Sequence, residues 1–64
     1  MILLNHYIVS DKDGKPIYWT LAPTRDNCLS KFLYGMSDES TDWVYWFKKG
    51  YKCKNVDVNF TEAL

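Results

Sequence analysis

The chain is short of almost everything that marks an enzyme or a ligand-binding protein. It has one histidine, two cysteines, two prolines and three glycines, and its eight Lys and Arg balance eight Asp and Glu. One histidine, with no nucleophile at a telling spacing and no Gly-rich phosphate loop, argues against catalysis. Zero net charge supplies no global field to draw the chain onto nucleic acid or a membrane surface. Cys28 and Cys53 are too few for a disulfide scaffold and form no CxxC pair. His6, Cys28 and Cys53 lie far apart, with none of the paired spacings of a metal site. No metal or cofactor is therefore expected, and both cysteines read as small buried hydrophobes. Asp11-x-Asp13-Gly14 matches part of a calcium loop, but its glycine comes too early and Ala22 stands where a bidentate Glu is required. No apolar run approaches the roughly 18 residues of a membrane span. Met1-Ile2-Leu3-Leu4 has no basic lead and is broken by Asn5-His6, unlike an export signal. The expectation is a cytosolic protein with reduced thiols. The Asn59-Phe60-Thr61 sequon carries no weight there.

What the chain does have is rings. Aromatic residues make up 17% of 64 positions, and Trp43-Val44-Tyr45-Trp46-Phe47 is an unbroken bulky run. At 64 residues a single domain sits near the size at which core burial barely offsets ordering entropy, roughly 100 kcal/mol at about 1.5 kcal/mol per residue. Each ring buries ~150–250 Å², so aromatics are an economical core, and Trp19, Phe32, Trp43 and Phe47 are expected inside.

Ile2 to Val9 and Ile17 to Leu21 read as strands around Asp13-Gly14, where glycine accepts the positive φ of a hairpin turn. Pro16, without an N–H, marks the start or the unpaired edge of strand two. Thr24 is a plausible N-cap with Asp26 in the first turn, and Cys28, Leu29, Phe32, Leu33 and Met36 form one helical stripe, with Gly35 as the stop. A second helix through 43–47 is expected to be capped by Ser37, Ser40 or Thr41 and to end at Gly50. Trp43, Trp46 and Phe47 would share a face opposite Tyr45. Tyr51 to Phe60 alternates as a last strand, with a bulge near Lys54-Asn55 to absorb the phase of Cys53, and 61–64 reads as a frayed tail. The fold class is α+β in the order β-β-α-α-β: one domain, a small, mostly antiparallel three-stranded sheet with two short helices on one face.

Two helices cover only one side of such a sheet, yet strand one is apolar on both parities, Ile2, Leu4 and Ile8 against Leu3, Tyr7 and Val9. Strand two sets Tyr18 and Thr20 against Ile17, Trp19 and Leu21. Such a pattern fits either a central strand with a few tolerated surface apolars or an open face that serves as a docking or dimer surface. Tyr34 and Tyr45, off the inner stripes of their helices, would add the amphipathic contacts enriched at interfaces. The expected contact residues are Tyr7, Tyr18, Tyr34, Tyr45 and Trp46, engaging a protein partner or a second copy. The alternative is a nucleic-acid site at Lys48, Lys49, Tyr51, Lys52 and Lys54, where cations would hold phosphates and the ring would stack on a base.

Taken together, Tyr7-Ile8-Val9, the Asp-Gly turn, Trp19-Thr20-Leu21-Ala22-Pro23-Thr24, Phe32, Trp43, Trp46 and Gly50-Tyr51-Lys52-Cys53 resemble the pattern of small accessory proteins of bacteriophages and prophages. That resemblance implies a protein of the bacterial cytosol that acts by binding and blocking a host or defence-system protein.

Overall fold

The computed structural model describes residues 5–57. Strands β1 (His6–Ser10), β2 (Pro16–Ala22) and β3 (Lys52–Val56) form an antiparallel sheet in the order β2-β1-β3, with helices α1 (Arg25–Gly35) and α2 (Trp43–Lys48) between β2 and β3. The architecture is α+β, in the order β-β-α-α-β. The expected continuation of strand one to Ile2, of the last strand to Phe60, and the 61–64 tail lie outside the described residues.

The hairpin forms because Asp11 organises the turn. Its Oδ1 accepts from the N–H groups of Asp13 and Lys15, both at 2.9 Å, while Gly14 takes φ +83° and donates to the Asp11 carbonyl. Pro16 is the first residue of β2, opposite Ser10 on an edge strand, where its missing N–H costs the ladder nothing.

β2 departs from simple alternation. Tyr7 pairs with Ala22 and Val9 with Ile17, so Ile8 alone faces Tyr18-Trp19-Thr20-Leu21. This bulge reverses the parity: Ile17 packs inward before it, Thr20 and Ala22 after it, and Trp19 is thrown outward. Thr20 repairs the interrupted ladder. Its buried Oγ1 accepts from the Val9 N–H at 2.9 Å, and its hydroxyl donates to the Ile17 carbonyl at 2.7 Å. Lys31 of α1 donates to the Leu21 carbonyl at 2.8 Å, satisfying another group that the bulge releases. The bulge expected at Lys54-Asn55 is absent, because β1 and β3 pair without interruption from His6↔Val56 to Ser10↔Lys52.

Thr24 caps α1 by accepting from the Asn27 N–H. α1 ends at Gly35 as expected, although without a positive φ; the reason for glycine there is the Trp19 ring, which would stand 2.5 Å from an added Cβ. α2 is capped by Asp42, whose carboxylate accepts from the Val44 N–H at 3.0 Å, rather than by a hydroxyl. Ser40 instead accepts from the Asp42 N–H and, through its carbonyl, from Trp46 Nε1. Gly50 follows α2 at φ +105°, as the sequence led one to expect of a terminator.

Both helices feed one cluster with the sheet: Val9, Ala22, Cys28, Phe32 and Trp46, flanked by Tyr7, Ile17, Leu29, Leu33, Met36, Trp43, Tyr51 and Cys53. Phe32 is its hub, with Trp46 edge-on at 5.3 Å, Trp43 edge-on at 5.7 Å and Tyr51 tilted at 5.6 Å.

Candidate interaction surface

The rings divide differently from the sequence expectation. Trp46, expected at a contact surface, is only 2% exposed: its indole N–H is fixed by the Ser40 carbonyl and its ring makes T-shaped contacts with Phe32, Tyr45 and Tyr51. That correction has a geometric cause. Trp46 is the α2 residue that packs against both Phe32 of α1 and Tyr51, and those rings bury it. Trp19 and Phe47, expected in the core, are 53% and 57% exposed. Trp19 was moved out by the bulge, and Phe47 lies beside Trp43 at the margin of the cluster rather than under it.

These outer rings are not scattered. Trp19 stacks on Phe32 at 6.3 Å with planes 14° apart; Phe32 meets Trp43 edge-on; Trp43 contacts Phe47 at 6.5 Å. A strip of ring contacts thus runs from β2 across α1 to α2, anchored in its middle by buried Phe32 and open at both ends. Rigid anchoring matters, since a ring already held in place loses little rotamer entropy when a partner covers it. Gly35 is part of the device, because any Cβ at that position would collide with the Trp19 ring.

The other expected contact residues do not converge on this strip. Tyr7 is half-buried against the core, and Tyr18 is exposed on β2. Tyr34 is 86% exposed on α1, next to Gly35. Tyr45 is held: its hydroxyl donates to Glu39 Oε2 at 2.5 Å, and Lys49 lies over its ring 4.6 Å from the centroid. The uncovered sheet face also differs from expectation. Ile8 and Val56, on the parity opposite Val9, are buried at 2% and 1%, so that side is not bare at its centre.

The lysine group is dispersed. Lys49 is bound to Glu39 at 2.5 Å, and Tyr51 packs against Phe32 and Trp46 instead of offering a face for stacking. Lys48 ends α2, while Lys52 and Lys54 lie on edge strand β3, on the face away from Cys53. A cleft of about 370 Å³ lies over Lys12, Met36, Glu39, Trp46, Lys49 and Tyr51. Its one carboxylate is already engaged: hydrogen bonds from Lys49 and then Tyr45 hold Glu39 below the usual carboxylate range and raise Lys49 above the usual ammonium range. A carboxylate held ionised by two donors is poorly suited to take up a proton from a substrate.

Among the described residues, no group of three or more His, Cys, Asp and Glu side chains could hold a metal ion, and no helix is long and apolar enough to cross a membrane. His6 bonds Asn5 through Nδ1, and its carbonyl accepts from the Asn55 amide. Cys28 is buried in the core cluster and Cys53 packs against that cluster, both as free thiols. No family model, curated protein or solved structure matches this chain.

Proposed function

We propose that this protein is a non-enzymatic binding module that engages a protein partner through the strip formed by Trp19, Trp43 and Phe47. The observation that carries the reading is the continuous chain of ring contacts in which half-exposed Trp19 stacks on buried Phe32 and half-exposed Phe47 reaches the same ring through Trp43. Large aromatic side chains held at a surface are the groups that dominate binding energy at protein interfaces. Occlusion of the partner's own contact surface is the mechanism such a small, site-free domain can exert. The resemblance to phage and prophage accessory proteins makes a bacterial host or defence-system protein the partner class to test first.

The test compares capture from bacterial lysate by the wild-type chain, a Trp19→Ser/Phe47→Ser variant and a Lys52→Ser/Lys54→Ser variant, with circular dichroism verifying each fold. A protein retained by the wild type and the lysine variant but lost by the ring variant supports the reading, with a deficit on the order of 2 kcal/mol per ring. Capture unchanged by removal of both rings overturns it. Light scattering on the same samples separates a second copy from a foreign partner. The nucleic-acid alternative requires affinity for DNA or RNA that falls steeply with salt and vanishes in the lysine variant. The engaged state of Lys49 and Tyr51 disfavours it.

A further inference from the structure

The cleft over Lys12, Met36, Glu39, Trp46, Lys49 and Tyr51 is assembled from three turns. The β1–β2 turn and the α2–β3 turn lie at the same end of the sheet, since Ser10 pairs with both Pro16 and Lys52. They touch at Gly50, where an added Cβ would stand 3.2 Å from the Lys12 Cβ, so the stem of Lys12 rests on the neighbouring backbone. The connection from α1 to α2 forms the third side. There the Met36 carbonyl accepts from the N–H groups of Glu39 and Ser40 at 3.1 Å and 3.2 Å, and Glu39 reaches across to Lys49. Trp46 lines the cleft with its indole N–H fixed to the Ser40 carbonyl at 3.1 Å, and Tyr51 stands edge-on to it at 5.2 Å. About 370 Å³ falls at the small end of ligand sites, which run from roughly 300 to 1,000 Å³.

We propose that this cleft binds a small free aryl carboxylate, its flat ring against Met36, Trp46 and Tyr51 and its anionic group between the ammonium groups of Lys12 and Lys49. Charge selects the sign of the ligand. Two lysines and one glutamate line the cleft, which leaves one positive charge for a monoanion to neutralise. A cationic ligand is disfavoured because Lys49 already holds that place, with its Nζ 4.6 Å from the Tyr45 ring centroid and 5.5 Å from that of Trp46.

Glu39 does not compete with such a ligand; it positions the lysine that receives it. Its Oε2 accepts from Lys49 Nζ and from the Tyr45 hydroxyl, so the ammonium is already oriented before a ligand arrives. An ammonium has three protons to donate, and the bond to Glu39 uses one. Lys12 enters no ion pair among the described residues. The preference for a ring follows from the other half of the lining, where two aromatic side chains and a thioether offer edge, face and sulfur contacts. The site is separate from the outer ring strip, since neither Trp19 nor Phe47 lines the cleft, and it stands whether or not that strip engages a protein.

The experiment titrates indoleacetate into the isotopically labelled chain and follows backbone and indole N–H resonances by NMR. Saturable shifts are expected at the Trp46 indole N–H and at the amides of Lys12, Gly50 and Tyr51, with a Kd of about 1 mM or below for a ligand of this size. Indoleacetamide, which keeps the ring without the charge, and acetate, which keeps the charge without the ring, should each bind more weakly by roughly tenfold or more. Lys12→Gln should weaken indoleacetate by roughly tenfold, between the worth of an exposed ion pair and that of a hydrogen bond to a charged group. Its turn is organised by Asp11 and the backbone, so the substitution leaves the fold in place. Equal affinity for the acid and its amide, binding of the cationic counterpart tryptamine, or an affinity untouched by Lys12→Gln overturns the proposal. So do shifts confined to Trp19 and Trp43, and shifts that stay linear to roughly ten times the expected Kd. Tighter binding of the peptide N-acetyl-Gly-Gly-Trp than of indoleacetate overturns the assignment to a free small molecule. The comparison of acid with amide needs no variant, and it decides the matter even if Lys12→Gln fails to fold.

Discussion

Replacing Gly35 with alanine should destabilise this protein although alanine is the better helix former, and the reversal of sign is a direct measure of where Trp19 rests. Gly35 occupies the last turn of α1 without a positive φ, so helix propensity alone favours Gly35→Ala by ~0.5–1 kcal/mol. An added Cβ, however, would lie 2.5 Å and 2.7 Å from the outer carbons of the Trp19 ring. The ring must move. Trp19 has about half its surface covered; losing that cover would forfeit ~70–120 Å² of apolar contact, or ~2–3 kcal/mol. Separation from Phe32 would forfeit a further ~0.5–1.5 kcal/mol of ring pairing. The atoms that collide are the far end of a half-exposed side chain, which rotates aside and keeps part of its cover, so the net cost of Gly35→Ala is ~1–2 kcal/mol. The assay is urea denaturation followed by far-ultraviolet circular dichroism, carried out as a double-mutant cycle. In a Trp19→Ala background the collision is gone, and the same Gly35→Ala change should stabilise by ~0.5–1 kcal/mol. A stabilising effect in the wild-type background would refute the placement of Trp19 against α1, and with it the ordered strip on which the binding proposal rests.

Two further outcomes follow from the site's supports. Thr20→Val keeps the shape of the side chain but leaves the Val9 N–H unmatched in the core, and should cost ~1–3 kcal/mol, whereas Thr20→Ser retains the hydroxyl and should cost clearly less; equal losses from both in urea melts would contradict the role of Oγ1 in bridging the bulge. Lys49 and Tyr45 depress the Glu39 carboxyl in the folded state, so its stabilising contribution is complete above the ordinary carboxyl value of about 4.3 and is lost as pH falls through the lower, folded value. Glu39→Gln should therefore flatten the acid limb of the stability profile while leaving its shape near neutrality unchanged, and an acid limb as steep as that of the wild type would remove Glu39 from that account.

Much of this protein was legible in its sequence wherever the deciding contacts are short-range. The Asp11–Lys15 turn, the edge position of Pro16, the Thr24 cap, the Cys28–Phe32 stripe and the stop at Gly50 each depend on residues within about one turn of one another, where side-chain chemistry and backbone sterics act alone. The element order follows from these. The assignment of rings to inside and outside was not legible, because it depends on non-local geometry. A bulge in β2 reverses which parity faces the helices, and alternation within Ile17–Leu21 cannot reveal it; the bulge exists because Thr20 and Lys31 can satisfy the groups it exposes. The same change of phase put Trp19 against Gly35 and left Trp46 to fill the core. Composition by itself established that a chain this small carries a surplus of apolar ring surface. Only the packing of three strands and two helices decided which rings remain at the surface, since that outcome is set by register across strands and not by spacing along the chain.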